Sequence, residues 1–373
     1  MNRIKGNVIV GQSGGPTAVI NSSLAGVYKT AKDRGAAKVY GMLHGIQGLL
    51  EEQYVDLSRH ITSDLDIELL KRTPSAYLGS CRFKLPEISQ DREIYDKIFR
   101  ILEKLEVGYF FYIGGNDSMD TIKKLSDYSL LNGSPIRFMG VPKTIDNDLA
   151  ATDHTPGYGS AAKYIGSITK EVIRDGLVYD QQSVTILEIM GRNAGWLTGA
   201  AALARCEDCE GPDMIFLPEV TFDVDRFIAQ IARLHEKKKS VVVAVSEGVK
   251  LADGRYVCEL TEGIHYVDPF GHKQLTGTAR YLAEKINRDV GCKTRAIEFN
   301  TLQRCASHIV SRVDITEAYQ VGGAAVKEAF EGETGKMVIL KRVSDDPYIC
   351  VTDIYDVHKV ANLEKTVPRS WIN

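Results

Sequence analysis

Short apolar runs alternate along this chain with longer segments in which apolar residues recur every three or four positions. Val241–Val245 is apolar throughout, as expected of a strand that is covered on both faces of its sheet. This alternation predicts an α/β fold with mainly parallel sheets, and ligands then bind where the strands end. The predicted strands are 7–11, 38–43, 108–113, 137–141, 184–189, 214–217, 241–246, 293–299 and 337–340. The predicted helices are 18–33, 118–131, 160–174, 195–205, 224–237, 277–287 and 316–331. The turn-forming stretch 252–255 predicts a hairpin turn.

Composition narrows the class of protein. The 373 residues are 44% hydrophobic and 25% charged, which is typical of a globular protein. The net charge of −3 provides no basic field, so we expect neither nucleic acid nor a membrane surface as a partner. No apolar run reaches the ~18 residues of a membrane span, and the charged first residues lead directly into a strand rather than a signal peptide. We therefore expect a cytoplasmic protein.

Cysteine spacing gives little indication of a metal centre. Of the seven cysteines, only Cys206 and Cys209 are close together, and no second pair or histidine cluster completes a zinc site. Reduced, structural thiols are the expectation.

Two glycines follow the apolar run Tyr109–Ile113. The stretch Gly114-Gly115-Asn116-Asp117-Ser118 combines a turn that approaches closely with polar residues that open the next helix. Such a layout presents free N–H groups at a helix N-terminus, which favours phosphate. Gly11–Thr17 forms a second glycine turn after the first strand, although a lone Gly-Gly turn is usually a simple connection. Neither the dinucleotide fingerprint nor a P-loop motif is present, which disfavours a Rossmann oxidoreductase and a P-loop enzyme.

An acid-rich loop follows another apolar run. Pro142–Asp148 places three acids or amides beside one lysine. Such a loop near a phosphate cradle can hold a divalent cation and accept a proton from an alcohol. Together with the glycine turns, it indicates phosphoryl transfer to a sugar hydroxyl.

These motifs occur together in one known family. Over roughly residues 8–340, the chain resembles the phosphofructokinases, and most closely their pyrophosphate-dependent branch. Each motif is weakly specific alone, whereas their order and spacing are highly specific. The stretches that carry the resemblance are Ser13-Gly14-Gly15, Gly79-Ser80-Cys81-Arg82, Gly114-Gly115-Asn116-Asp117-Ser118, Pro142–Asp148, Met190-Gly191-Arg192, Ser246-Glu247-Gly248, Thr294-Arg295 and Gln303-Arg304.

The resemblance implies a two-lobed architecture. Two Rossmann-like three-layer α/β/α lobes with mainly parallel sheets would hold the active site in the cleft between them. The donor lobe, for pyrophosphate and Mg²⁺, is expected at residues 1–157 plus about 304–358. The sugar-phosphate lobe is expected at residues 158–303 plus about 359–373.

The resemblance also assigns roles around the transferred phosphoryl group. Asp146 matches the family's catalytic base, which accepts the proton of the sugar 1-hydroxyl. Arg82 matches a residue that reaches the phosphoryl group and stabilises its developing charge. Thr144, Ile145 and Asp148 match neighbours that bind the reacting end of the sugar phosphate, near the metal.

Further matches concern the sugar phosphate. Met190-Gly191-Arg192 matches a turn that grips the sugar, and Glu247 matches an acceptor for its hydroxyls. Arg295 and Arg304 match the clamp on the 6-phosphate, and Thr301 lies where relatives carry His or Tyr near that phosphate. In the family, one such arginine comes from a neighbouring subunit. Arg295 therefore implies a homodimer or homotetramer with its active site at the subunit boundary.

Donor choice depends on two residues. Gly14 and Gly115 match the turns that touch the donor phosphates, and Asn116 matches the position that helps to hold Mg²⁺. ATP-using relatives carry glycine in place of Asp117 and Lys143. A carboxylate at Asp117 would repel the α-phosphate of ATP, and Lys143 could neutralise the leaving phosphate of pyrophosphate.

The chain departs from the family pattern at several positions. Asn116 replaces an acid, so its amide oxygen is expected to bind Mg²⁺ less strongly. Ser183 replaces an arginine for the 6-phosphate, which leaves a thinner clamp. Ala25 replaces an effector-binding arginine of the allosteric bacterial enzymes, and Lys29 only partly replaces a second, so we expect no allosteric control.

The resemblance therefore implies a reversible phosphotransferase of glycolysis or gluconeogenesis. Its substrates would be fructose 6-phosphate and pyrophosphate, its products fructose 1,6-bisphosphate and phosphate, and its cofactor Mg²⁺. An ATP-dependent phosphofructokinase is the first alternative, and a sugar-phosphate binding protein without catalysis is the second.

Overall fold

The computed structural model describes residues 6–260 and 275–373. Its strands are β1 (Asn7–Gln12), β2 (Val39–Met42), β3 (Tyr54–Asp56), β4 (Val107–Gly114), β5 (Arg137–Pro142), β6 (Ser183–Ile189), β7 (Met214–Phe216), β8 (Ser240–Ser246), β9 (Lys293–Glu298), β10 (Lys336–Asp345) and β11 (Tyr348–Asp356). Its α-helices are α1 (Ile20–Asp33), α2 (Gly45–Leu50), α3 (Asp64–Arg72), α4 (Arg92–Lys104), α5 (Asn116–Leu131), α6 (Tyr158–Gly176), α7 (Trp196–Gly199), α8 (Val224–His235), α9 (Thr278–Val290), α10 (Leu302–Cys305) and α11 (Arg312–Glu331).

The chain divides into two compact units. The first unit contains the residues up to Ile145, then Leu149–Ser160 and Val310–Glu364. The second unit contains Asp146–Asp148, the described part of Ala161–Ile309, and Lys365–Asn373. The observed changes of unit after residues 160, 309 and 364 lie a few residues beyond the expected ones after 157, 303 and 358. That one unit binds the donor and the other the sugar phosphate stays a prediction.

The first unit is built on a sheet whose strand order, within the described residues, is β11-β10-β5-β4-β1-β2-β3. All neighbouring pairs are parallel except β2 with β3 and β10 with β11. Alternate residues of β4 enter two different cores, because successive side chains of a strand point to opposite faces. One core contains residues of α4 and α5, and the other contains residues of α1 and α11. The first unit is therefore a three-layer sandwich.

The second unit has a smaller sheet with the order β7-β8-β6-β9 among its described strands. All three pairings are parallel. Valines of β8 pack with apolar residues of α8 and α9 in one core. The prediction of an α/β fold with mainly parallel sheets is confirmed in both units.

Several elements differ from the sequence-based expectation. The predicted helix 195–205 is only the short α7 followed by a 3₁₀ turn, Ala200–Ala204. A glycine inside a helix lowers its stability by about 1 kcal/mol relative to alanine, and Gly199 ends the α-helical part. The sequence analysis missed α3, α4 and the edge strand β11. The turn at 252–255 is confirmed, because Leu251 donates to Arg255 O and Gly254 donates to Leu251 O.

Candidate functional site

Three loops of the first unit meet at the carboxyl ends of the neighbouring strands β5, β4 and β1. Gly14, in the turn after β1, has a φ of 75°, which suits glycine. The Nζ atom of Lys143, after β5, donates to Gly15 O at 2.6 Å, and Lys143 is only 3% exposed. A side chain at Gly14 would press on this Nζ atom. The sheet order thus places the predicted lysine on the first glycine turn.

The second glycine turn is held against the first. A side chain at Gly114 would overlap Ser118, so the close packing of this turn requires glycine. The hydroxyl of Ser118 donates to Ser13 Oγ at 3.0 Å, and the amide of Lys143 donates to Gly114 O at 3.0 Å. Both glycine turns and Lys143 therefore form one continuous cluster.

Helix α5 begins at this cluster. Gly115 is the N-cap residue and offers no side chain to the first amides of the helix. Asn116 and Asp117 are the first two helical residues, and Asp117 is an acidic residue in the first turn. The positive end of a helix dipole favours anions there, whether a carboxylate of the chain or a phosphate of a ligand.

The segment that carries Arg82 lies on the first glycine turn. The hydroxyl of Ser80 donates to Gly14 O at 2.6 Å, and the amide of Gly14 donates to Cys81 O at 3.1 Å. Arg82 follows directly and is exposed. The structure therefore brings the predicted Arg82 segment to the predicted donor turn, although 66 residues separate Ser80 from Gly14 along the chain.

The acid-rich loop passes from the first unit into the second. Thr144 donates its amide to Pro156 O at 3.3 Å and accepts at its carbonyl from the Thr155 hydroxyl at 2.9 Å. Ile145 is buried, and Asp146–Asp148 belong to the second unit. Asp146 and Asp148 are half-buried.

In the second unit, the turns after β6 and β8 contact each other through their backbones. Gly191 has a φ of 129°, and its carbonyl accepts from the Ser246 hydroxyl at 2.7 Å. A side chain at Gly248 would overlap the backbone of Arg192. The amide of Gly191 donates to Glu247 Oε1 at 3.4 Å. The two predicted sugar-binding turns therefore form one surface at the carboxyl end of the sheet.

Glu247 has unusual electrostatics. Burial of its carboxyl group, followed by the nearby negative charge of Asp146, raises the pKa of Glu247 to about 8. Below about pH 8 the group is therefore a neutral carboxyl, whose C=O accepts hydrogen bonds and whose O–H donates one. The arrangement suits a group that accepts hydrogen bonds from a polyol.

The residues after β9 reach the same surface. The Gln303 side chain accepts from the Met190 amide at 3.2 Å and is 2% exposed. Arg304 is the next residue, within α10, and Thr301 is the N-cap position of that helix. Gln303 is a positioning residue to which the sequence analysis gave no role. The sequence shows that Gln303 precedes Arg304, but it does not show that Gln303 contacts Met190.

Arg295 does not lie on this surface at the carboxyl end of the sheet. It is in β9, paired with Thr185 of β6, and five residues separate Thr185 from Met190. A strand rises about 3.3 Å per residue, so Arg295 lies about 16 Å from the Met190 end of the sheet. Its guanidinium pairs with Asp175 at 2.9 Å in an exposed ion pair. The structure therefore does not bring Arg295 to the other predicted sugar-binding residues of its own chain.

A shallow pocket surrounds Arg295 at the amino end of this sheet. The residues that line it include Asp175, Tyr179, Gln181, Ser183, Lys293 and Arg295. Lys293 is directly opposite Ser183 in the β6–β9 register, and its Nζ atom lies 5.4 Å from the centroid of the Tyr179 ring. The sequence analysis missed Lys293, although its spacing of two from Arg295 on a strand indicates a shared face.

Side-chain oxygens at the start of α5 form the candidate donor set for a metal ion. Among residues 6–260 and 275–373, no group of three or more His, Cys, Asp or Glu side chains is arranged to hold a metal ion. Mg²⁺ usually binds one or two protein oxygen ligands together with water and substrate phosphates. Asn116 and Asp117 carry side-chain oxygens at the start of α5, so the residues present fit that mode of binding. In the part of the chain that the structure describes, no helix has the length and apolar character needed to cross a membrane.

Comparisons with known proteins agree with this arrangement. The phosphofructokinase family model matches residues 7–329. Pyrophosphate–fructose 6-phosphate 1-phosphotransferases of Halomonas elongata and Xanthomonas campestris are 40% and 41% identical, and each alignment covers 98% of this chain and 87% of the relative. A crystal structure of the pyrophosphate-dependent phosphofructokinase from Nitrosospira multiformis superposes with a TM-score of 0.88 at 36% identity, over 99% of this chain and 87% of that chain. With its glycine turns, acid-rich loop and parallel sheets in the order described above, the chain belongs to the phosphofructokinase family.

Proposed function

We propose that this chain transfers phosphate from pyrophosphate to the 1-hydroxyl of fructose 6-phosphate, giving fructose 1,6-bisphosphate and phosphate. The observation that carries the proposal is the position of Lys143, which is buried with its Nζ atom on Gly15 of the first glycine turn. A fixed cation beside two glycine turns suits a short, highly charged donor. The names of the relatives described above support the same donor and acceptor.

Asp146 acts as the base in this proposal. Its carboxylate accepts the proton of the sugar 1-hydroxyl as the oxygen attacks the nearer phosphorus of pyrophosphate. The bond from that phosphorus to the bridging oxygen breaks, and phosphate leaves. Thr144, Ile145 and Asp148 flank the base and hold the reacting end of the sugar. Such base catalysis typically contributes about 10²–10⁴ in rate.

Residues of the first unit would stabilise the negative charge of the donor phosphates. Arg82 follows the segment that is hydrogen-bonded to Gly14, and it would stabilise the transferring phosphoryl group. Lys143 would neutralise the leaving phosphate, while Gly14 and Gly115 let the backbone approach the donor closely. Asp117 at the start of α5 would repel a third phosphate, so pyrophosphate is preferred over ATP.

Mg²⁺ is the expected cofactor. Asn116 is the residue that would hold it together with oxygens of the donor. When bound, it would neutralise charge on the donor phosphates.

The sugar phosphate is held by the second unit. Met190, Gly191 and Arg192 would contact the sugar. Glu247 would accept hydrogen bonds from the sugar hydroxyl groups. Arg304 and Thr301 would bind the 6-phosphate from the loop after β9.

The position of Arg295 supports a site shared between subunits. It lies at the amino end of its sheet, about 16 Å from Met190, so it serves the site of a neighbouring subunit in this proposal. Lys293 would add a second cation there. It is paired with Ser183, the position at which an arginine of the family is missing, so its charge could replace that of the arginine. The active protein is then a homodimer or homotetramer.

A donor panel tests the function. Fructose 6-phosphate and Mg²⁺ are held constant while pyrophosphate, ATP and ADP are offered separately, and fructose 1,6-bisphosphate is measured. We expect product with pyrophosphate, and in the reverse direction pyrophosphate from fructose 1,6-bisphosphate and phosphate. Product with ATP alone would favour the ATP-dependent alternative, and no product with any donor would favour a binding protein.

A further inference from the structure

Cys206 and Cys209 lie opposite each other across a tight turn of the second unit. The amide of Cys206 donates to Cys209 O at 2.9 Å, and the amide of Cys209 donates to Cys206 O at 3.2 Å. This reciprocal pairing makes them a hydrogen-bonded antiparallel pair. The Cα atoms of such a pair are about 5.5 Å apart, which lies within the range that a disulfide spans.

The two thiols differ in accessibility. Cys206 is exposed, whereas Cys209 is 7% exposed. Residues opposite each other on an antiparallel pair project to the same face. The pair therefore offers one sulfur that a dissolved oxidant can reach and a second, sheltered sulfur beside it.

Asp208, which lies in the turn between the two cysteines, attaches this turn to α6. The carboxylate of Asp208 pairs with Lys170 at 2.8 Å and with Arg174 at 2.6 Å, and both residues are on α6. The same carboxylate accepts from the Cys206 thiol at 3.0 Å. These contacts hold the pKa of Asp208 well below its usual range. The two ion pairs attach Asp208 to α6.

The remaining five cysteines are poorer targets. Cys81, Cys258 and Cys292 are buried, and Cys305 and Cys350 are half-buried. Burial raises the pKa of Cys258 to about 11, and it also raises the pKa of Cys292 and Cys350. The thiolate is the reactive form, so these three react slowly with oxidants.

We propose that Cys206 and Cys209 form a reversible redox site that a peroxide converts to a disulfide. The Sγ atom of Cys206 attacks one oxygen of hydrogen peroxide, the O–O bond breaks, and a sulfenic acid and water result. The Sγ atom of Cys209 then attacks the Cys206 sulfur. The hydroxyl leaves as water with the Cys209 proton. Two thiols are oxidised, and one peroxide is reduced to two waters. This site is separate from the proposed phosphoryl transfer and does not depend on it.

The test uses the full chain in its folded state. The reduced protein is treated with limiting hydrogen peroxide, free thiols are alkylated, and peptides are identified by mass spectrometry with and without dithiothreitol. We expect Cys206 and Cys209 to lose alkylation together, with loss of two hydrogen atoms from the peptide that contains both, and dithiothreitol to restore both thiols.

Three variants separate the pair from general oxidation. Cys209→Ser should leave a sulfenic acid at Cys206 that dimedone traps, Cys206→Ser should leave Cys209 fully alkylated, and Cys305→Ser should behave like the wild type. Thermal unfolding of each variant checks that it is folded. A disulfide to another cysteine, a disulfide between chains, or equal oxidation of all seven thiols would overturn the proposal.

Discussion

Two glutamates of the second unit, the buried Glu188 and the half-buried Glu247, keep their protons to an unusually high pH. Burial raises the pKa of Glu188 to about 7, and burial followed by Asp146 raises the pKa of Glu247 to about 8. The carboxylate of Glu188 accepts from the Gly277 amide at 3.3 Å and from the Ala279 amide at 2.8 Å, at the start of α9. Glu188 therefore caps a helix, whereas Glu247 stands at the proposed sugar surface.

Stability should fall with rising pH because of Glu247. The unfolded carboxyl releases its proton near its ordinary pKa of 4.5, whereas the folded one keeps it until about pH 8. Between these values the folded state binds more protons, so its stability declines by up to about 1.4 kcal/mol per pH unit. Glu247→Gln should flatten this decline in urea unfolding near pH 5.5 and pH 7.5, and the exposed Glu103→Gln should not. Equal slopes in wild type and Glu247→Gln would contradict the protonation of Glu247 in the folded state.

The proposed base gives a second prediction at the residue scale. Asp146→Asn keeps the size of the side chain and removes the proton acceptor. We expect kcat to fall by about 10²–10⁴ while fructose 6-phosphate binding, measured by calorimetry, stays within a few-fold. Asp180→Asn, which changes an exposed aspartate paired with Lys239, is the matched control and should retain full activity. Near-normal turnover of Asp146→Asn would remove it from the role of base.

Donor choice gives a third prediction. Asp117→Gly should remove the charge that repels the α-phosphate and allow ATP to be used, while pyrophosphate turnover falls. Lys143→Gly should lower pyrophosphate turnover further, because the leaving phosphate loses its cation. Both residues serve one donor site, so their effects should not add. The measurement is kcat/KM for both donors in the wild type, both single variants and the double variant, with thermal melts because Lys143 is buried. If the folded double variant gains no ATP use, this account of donor choice is wrong.

At the scale of elements, α1 and α11 touch through their backbones. A Cβ atom at Gly26 would overlap the carbonyl oxygen of Tyr319, and one at Gly322 would overlap that of Ser23. Two helices can approach this closely only where side chains are absent. The contact matters for the site because α1 follows the first glycine turn, which contacts Lys143.

A methyl group added at either glycine should push α1 and α11 apart. Gly26→Ala and Gly322→Ala should each lower the free energy of unfolding by about 1–3 kcal/mol, despite the higher helix propensity of alanine. Urea unfolding measures the change. Gly199→Ala is the control, because a Cβ atom there meets nothing within 4 Å, and it should be neutral or stabilising. A gain in stability from Gly322→Ala would show that the contact relaxes without strain.

At the scale of the whole molecule, the position of Arg295 predicts shared active sites. Arg295→Ala and Asp146→Asn subunits should each be inactive alone. In a mixed dimer, the site with an intact Asp146 receives an intact Arg295 from its neighbour, so a random mixture should recover about a quarter of wild-type activity. The assay is turnover after unfolding and refolding the two variants together.

The control for this experiment lies in the same unit. Arg288→Ala changes an exposed arginine paired with Asp289 and should be active without mixing. If verified mixed oligomers of Arg295→Ala and Asp146→Asn stay inactive, Arg295 does not serve a neighbouring site.

The sequence by itself determined most of the fold and the family. Apolar runs such as Val241–Val245 and the periodicity of the segments that follow them depend on neighbouring residues, so the order of strands and helices could be predicted locally. The motifs could be predicted for the same reason, because Gly114 and Gly115 directly follow the strand that positions them. Short or half-exposed elements such as α3 and β11 were missed because their local pattern is weak.

Tertiary structure alone decided the contacts between residues that are distant along the chain. It placed Lys143 on Gly15 and Ser80 on Gly14, because β5, β4 and β1 are neighbours in the sheet. It also separated Arg295 from Met190 along parallel strands, and it raised the pKa of Glu247 through burial that no local pattern reveals. Sheet order, register and desolvation are properties of the packed chain. For this reason the sequence could name the candidate residues but could not measure the distances between them.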